Sequence, residues 1–203
     1  VSHFYYLGAT LPFLQFGAEA PFSRQAFLEL CGRFLDAETL SLLDSLALLS
    51  SLPPPSSTPY LAASYSAWER GVRIELARLR AKKLGLAEPK VGVEGARLDG
   101  VTARAAQAAF QAGSPLEGEL VLEKARWDFI DSLSPFQGFD LDSLAAYFLK
   151  LLILERLAAL STERGEAGYR RVYADIMESW RAGDSAGGAA GGARPSSAGA
   201  SAF

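Results

Sequence analysis

One histidine, one cysteine and one methionine stand among 203 residues, and these scarcities exclude more chemistry than any motif affirms. A serine or cysteine nucleophile activated by histidine would have to use His3, near the end of the chain where residues are seldom held in place. Cys31 has no second thiol for an internal disulfide, and its helical spacing among apolar neighbours is that of a small buried hydrophobe. One cysteine and one histidine also fall short of the ligands a structural zinc site needs. Long apolar runs are missing too: the longest, 144–154, is interrupted by Lys150 and is far shorter than the roughly 20 residues that cross a bilayer. The opening Val1-Ser2-His3-Phe4-Tyr5-Tyr6 lacks the basic start and apolar run of a secretory signal. Charge of one sign is scarce as well. The 20 basic and 23 acidic residues leave a net of -3, too little to set a global field toward nucleic acid or an anionic membrane. These absences predict a cytoplasmic globular protein with no cofactor, one that meets charged partners locally.

What the chain does contain is helical periodicity, since 49% of its residues are hydrophobic and they recur at helical spacing. After a short apolar opening, 4–16, broken at Pro12, Ser23 and Asp36 stand at cap positions. Phe22 with Phe27, and Leu35 with Leu40, are spaced as hydrophobic staples. Phe27, Leu30, Cys31 and Phe34 form one stripe, and Leu40, Leu43 and Ala47 another. The proline-rich stretch 52–59 cannot continue a helix and reads as a linker. Beyond it, 60–84 reads as one long helix with Trp68, Val72, Leu76 and Leu79 on one face, closing at Gly85. Further helices are expected over 101–111, 116–133 (with Leu122, Ala125, Phe129 and Leu133 as its stripe), 141–160 and 163–181. Pro135 and Gly138 turn the chain before Asp140, the next cap. The 141–160 segment is apolar almost all round and should be central. In the last helix Tyr169, Val172, Tyr173, Ile176, Met177 and Trp180 follow the period, a spacing that a core stripe already explains. Residues 184–203 are mostly Gly, Ala and Ser and read as a disordered tail. The expected fold is therefore all-α, six to seven helices in an irregular bundle. Its expected organisation is an N-terminal helical segment 1–51, a linker 52–59, a main helical domain 60–183 and a tail 184–203.

Carboxylates crowd one helix at Glu117, Glu119, Glu123, Asp128 and Asp131. Glu119 and Glu123 can share a face, as a carboxylate-dependent hydrolase would require, but no Asp-rich loop or Glu-x-x-His element accompanies them. A solvated helix face explains the cluster equally well. The run Gly187-Gly188-Ala189-Ala190-Gly191-Gly192 lacks the Lys-Ser/Thr that follows a phosphate-binding loop and has linker composition. The most informative charged segment is 68–83, with six basic and two acidic residues. Arg70, Arg73, Arg78, Arg80, Lys82 and Lys83 are candidates for docking an acidic partner. Glu69, four residues ahead of Arg73, suggests a solvated intrahelical pair worth about 0.2–0.5 kcal/mol.

Three segments carry a resemblance to a small bacterial family encoded among the genes of V/A-type ATP synthases. They are Tyr5-Tyr6-Leu7-Gly8-Ala9-Thr10-Leu11-Pro12, then Glu75-Leu76-Ala77-Arg78-Leu79-Arg80-Ala81-Lys82-Lys83-Leu84-Gly85, and a third group. The third comprises Arg126-Trp127-Asp128-Phe129-Ile130-Asp131 with Phe139-Asp140, Tyr147, Leu149-Lys150-Leu151 and Ile153-Leu154-Glu155-Arg156. The resemblance spans about residues 4–160. It implies a role similar to that of the rotor socket of these complexes, the all-helical piece known by the letter C in bacterial enzymes and d in vacuolar ones. That socket seats the central axle, built from the D and F proteins, on the membrane rotor ring. On this reading the protein is a non-catalytic component without cofactor or metal, associated peripherally with the inner membrane through the complex. An assembly or regulatory factor for the same complex is the alternative, and a carboxylate-dependent hydrolase the alternative of another class.

Overall fold

A computed structural model describes residues 2–49, 57–89, 92–133, 140–160 and 162–187. Eight α-helices make up the regular structure of these residues, and no strand occurs among them. They are α1 (Ser2–Thr10), α2 (Arg24–Cys31), α3 (Ala37–Asp44), α4 (Tyr60–Lys83), α5 (Gly100–Phe110), α6 (Pro115–Leu133), α7 (Leu141–Ala159) and α8 (Thr162–Gly187). The fold is all-α. The helix beyond the expected seven is α1, since the apolar opening turns into helix before Pro12 can interrupt it. Two compact units form, Val1–Ala159 and Leu160–Phe203.

Local chemistry sets the helix starts. Ser23 Oγ accepts from the Ala26 amide at 3.2 Å and Asp36 from the Thr39 amide at 2.8 Å, so α2 and α3 begin where their caps stand. Asp99 and Thr102 close a reciprocal capping box on α5, and Asp140 caps α7 through the Ser143 amide at 2.9 Å. Pro59 cannot cap α4 with a side chain. The carboxylate of Asp142, on α7, instead accepts the Leu61 amide at 2.9 Å, so the start of the longest helix of this unit is satisfied from another element. At its other end, Leu86 N donates to Ala81 O and Gly85 N to Lys82 O, with Gly85 at φ 65°. This is a Schellman closure, and it needs a left-handed residue where glycine stands.

The core of the first unit gathers around α7, whose Leu144, Ala145, Ala146, Phe148, Leu149, Leu151, Ile153 and Leu154 are all buried. The expectation of a central, all-round apolar helix holds. Trp68 of α4 stacks on Phe129 of α6 at 4.7 Å between centroids, and Phe27 of α2 stacks on Phe148 and Tyr147 at 5.5 Å. Truncating a side chain such as Phe148 would cost about 3–5 kcal/mol. The N-terminal helices thus share this core: Leu7, Phe27, Cys31 and Leu43 are fully buried in it. Tyr147 Oη also donates to the Pro12 carbonyl at 3.0 Å. Helices α4 and α5 are held close because Gly71 has no side chain. A Cβ there would lie 1.9 Å from the Arg97 carbonyl oxygen, whose own amide donates to Ala67 O at 2.8 Å.

Helix α8, in the second unit, corrects two expectations. It runs to Gly187 rather than stopping near 181, since adding a residue to a helix already nucleated costs far less than starting one. Its aromatic residues do not form a core, since Tyr169 is 70% and Trp180 75% exposed. Helical period shows that a face exists but not what covers it. The expected turn at Pro135 and Gly138, the prolines of 52–56 and the tail from 188 onward lie outside the described residues.

Candidate docking site at the end of α4

The charged residues divide into an interior network and an exposed edge. In the interior, Arg126 of α6 donates from Nε and Nη2 to the two oxygens of Glu69 on α4, both at 3.0 Å, and from Nη1 to Glu123 at 2.8 Å. Arg156 of α7 donates to Glu123 at 2.5 Å and to Glu119 at 3.0 Å. Three helices are thereby joined by one ionic chain. Glu69, Glu123 and Arg126 are buried, and such an array is tolerable only because each charge meets its opposite. Burial pushes the Glu123 carboxyl above its ordinary range, against the pull of Arg126 and Arg156, and its Oε2 has no partner. Burial alone would depress the Arg126 guanidinium, but the hydrogen bonds and charge of Glu69, with Glu123, outweigh it and hold Arg126 above its ordinary value.

This geometry corrects the surface reading of two glutamates. Glu69 is not a solvated partner of Arg73: that contact is 3.4 Å, while the bidentate pair to Arg126 crosses between helices. Glu123 is not on a solvated face either. The structure does bring Glu119 and Glu123 together, but around one guanidinium, which fixes both as its counter-ions. Among the described residues no group of three His, Cys, Asp or Glu side chains is placed to hold a metal ion.

The six basic candidates separate in the same way. Arg70 Nη1 donates to the Glu94 carbonyl at 2.7 Å, Arg73 sits on Glu69, and Arg78 pairs with Glu75 and Glu88, both at 2.7 Å. The hydrogen bond from Arg78 to Glu75, with both neighbouring charges, raises the Arg78 pKa. Arg80, Lys82 and Lys83 are exposed and make no ion pair among the described residues. Lys83 Nζ lies 5.5 Å from the Phe110 ring centroid, a cation–π contact that leaves its charge outward. Arg80 and Lys83 border a groove of about 590 Å³ whose walls are the end of α4, the end of α5 and the start of α6. Leu76, Ala109, Phe110 and Leu122 supply its apolar lining. At Gly118 the walls come close, for a Cβ there would lie 3.0 Å from the Ala109 carbonyl. The resulting site is an apolar furrow with a cationic lip, a shape suited to docking.

Sequence reasoning missed the interior network. A signal was present: Glu69 falls on the buried stripe Tyr65, Trp68, Val72 and Leu76 of α4, while on α6 Arg126 falls between Leu122 and Phe129 with Glu123 beside it, so charges of both signs stand at core positions.

The described residues define an all-helical fold with an apolar groove edged by exposed cations. A family model described as "Protein of unknown function (DUF2764)" matches residues 109–179, about a third of the chain, from the end of α5 into α8. No curated protein and no solved structure matches the chain.

Proposed function

We propose that the protein is a non-catalytic component of a bacterial V/A-type ATP synthase, similar to the C-type rotor socket and linking the D–F axle to the membrane rotor ring. The observation that carries the docking part is the division of charge. Buried carboxylates are neutralised by Arg126 and Arg156 within the body, while Arg80, Lys82 and Lys83 at the end of α4 are left for a partner. A torque-transmitting adaptor needs a stiff helical body and exposed docking faces, and needs no reactive cluster. The choice of complex comes from the resemblance of the three segments, one of which, around Arg126-Trp127, lies within the stretch matched by the family model. No helix of the described residues is long and apolar enough to cross a membrane, which suits peripheral attachment through the complex. A transient assembly factor would use the same edge and differs in stoichiometry. For the hydrolase alternative, the shared counter-ion Arg156 supports a structural role for Glu119 and Glu123.

Charge reversal tests the proposal. Arg73 is unsuitable, because it borders the buried Glu69. Arg80→Glu with Lys83→Glu should deplete the chain from affinity-purified ATP synthase while the chain still unfolds cooperatively, with a melting temperature lowered only by the roughly 0.3–1 kcal/mol that each charge contributes at the end of α4. Unchanged co-purification would count against docking through this edge, and absence of the parent chain from the purified complex would count against the assignment.

A further inference from the structure

We infer that the groove at the end of α4 receives an acidic peptide segment carrying an apolar anchor, supplied by a partner protein. The inference deepens the docking reading and rests on it, but it does not depend on which complex supplies the partner. Two features fix the chemistry of the occupant. The furrow is lined by Leu76, Leu122, Ala109 and Phe110 and holds about 590 Å³, within the size range of sites that bury a few apolar groups. Its lip carries Arg80 and Lys83, exposed and without an anionic partner among the described residues. Glu119 also lines the groove, but its charge is already engaged by Arg156 at 3.0 Å. The unmatched charge of the site is therefore positive, in a chain whose net charge is -3.

Complementarity then selects the ligand. An anchor such as leucine or phenylalanine fills the furrow, and flanking Asp or Glu side chains meet the lip, steering approach and fixing register. Placing Arg80 and Lys83 near the C-terminus of α4 also complements the helix dipole. That role would be served by any cation in the last turn and does not require the furrow.

The test uses the full chain, immobilised and exposed to a displayed library of random peptides. Enriched sequences should combine one or two large apolar residues with neighbouring acidic ones. An enriched peptide, made with a fluorescein label and titrated by fluorescence polarisation, should bind more weakly as salt rises. R80E with K83E should weaken it about tenfold and remove most of the salt dependence. Ala112→Trp, which places an indole at the furrow wall, should block the anchor and abolish binding without altering the charge. The pair R33E and R104E, equal in charge change and outside the lining, should bind as the parent does, and thermal unfolding confirms that each variant is folded. No enrichment, enrichment of sequences without acidic residues, insensitivity to both groove variants, or equal loss in the R33E and R104E control would each overturn the inference. Absence of the chain from purified ATP synthase, with this binding intact, would remove the named complex and leave the groove. Co-purification that ignores the groove variants would do the reverse.

Discussion

Replacing Arg126 by methionine should unfold the protein far more readily than its single position suggests. The guanidinium is 4% exposed and makes three charged hydrogen bonds, two to Glu69 and one to Glu123. Methionine approaches its length but leaves Glu69, 2% exposed, with only the 3.4 Å contact to Arg73. Glu123 retains Arg156. Breaking a buried pair by removing one partner costs about 3–5 kcal/mol. At about 2–4 °C per kcal/mol for a chain of this size, the melting temperature should fall by about 6–20 °C. Urea unfolding followed by far-UV circular dichroism and by tryptophan fluorescence, to which the buried Trp68 and Trp127 contribute, gives the free energy directly. The double variant Glu69→Met with Arg126→Met removes both charges and should be less destabilised than the sum of the two single changes. A loss below about 1 kcal/mol for Arg126→Met, or strict additivity in the double variant, would refute the reasoning.

Other consequences are local. Asp99→Ala removes the capping box of α5 and should cost about 0.5–2 kcal/mol in urea unfolding. The Thr102 amide bond to its carboxylate holds Asp99 below its ordinary 3.8, so the stability it contributes is present above that value and is lost as pH falls through the lower folded one. The difference in melting temperature between parent and Asp99→Asn should accordingly shrink on acidification. Gly71→Ala forces its Cβ toward the Arg97 carbonyl and should cost about 1–3 kcal/mol or more. Hydrogen exchange at the Arg97 amide, which bonds to Ala67 O, should accelerate selectively, and unchanged protection there would contradict the close approach. Burial pushes the Cys31 thiol up to about 12, so alkylation by iodoacetamide should be negligible in the native protein and rapid in urea. Fast native labelling would show that the α2 core opens.

Much of this fold was legible because its determinants are local. Ser23, Asp36 and Asp140 cap helices through amides three residues on, and such caps are visible in any window that contains them. The start of α4 was not legible in that way, because its cap is Asp142, 81 residues away from Leu61. The cationic edge was half legible. Six cations stood on one helix, but which of them are spent depends on Glu88 and Glu94 in the following loop and on the burial of Glu69, and helical spacing contains none of these. Periodicity likewise marked Tyr169, Val172, Tyr173, Ile176 and Trp180 as a face of α8, while their exposure depends on what lies opposite.

The central claim, that this helical body is a docking component of a rotary ATP synthase, is tested most directly by native mass spectrometry of the detergent-solubilised complex. The chain should be present at one copy per D–F axle in active preparations. Its absence from complexes that retain the axle and the membrane ring would contradict the claim.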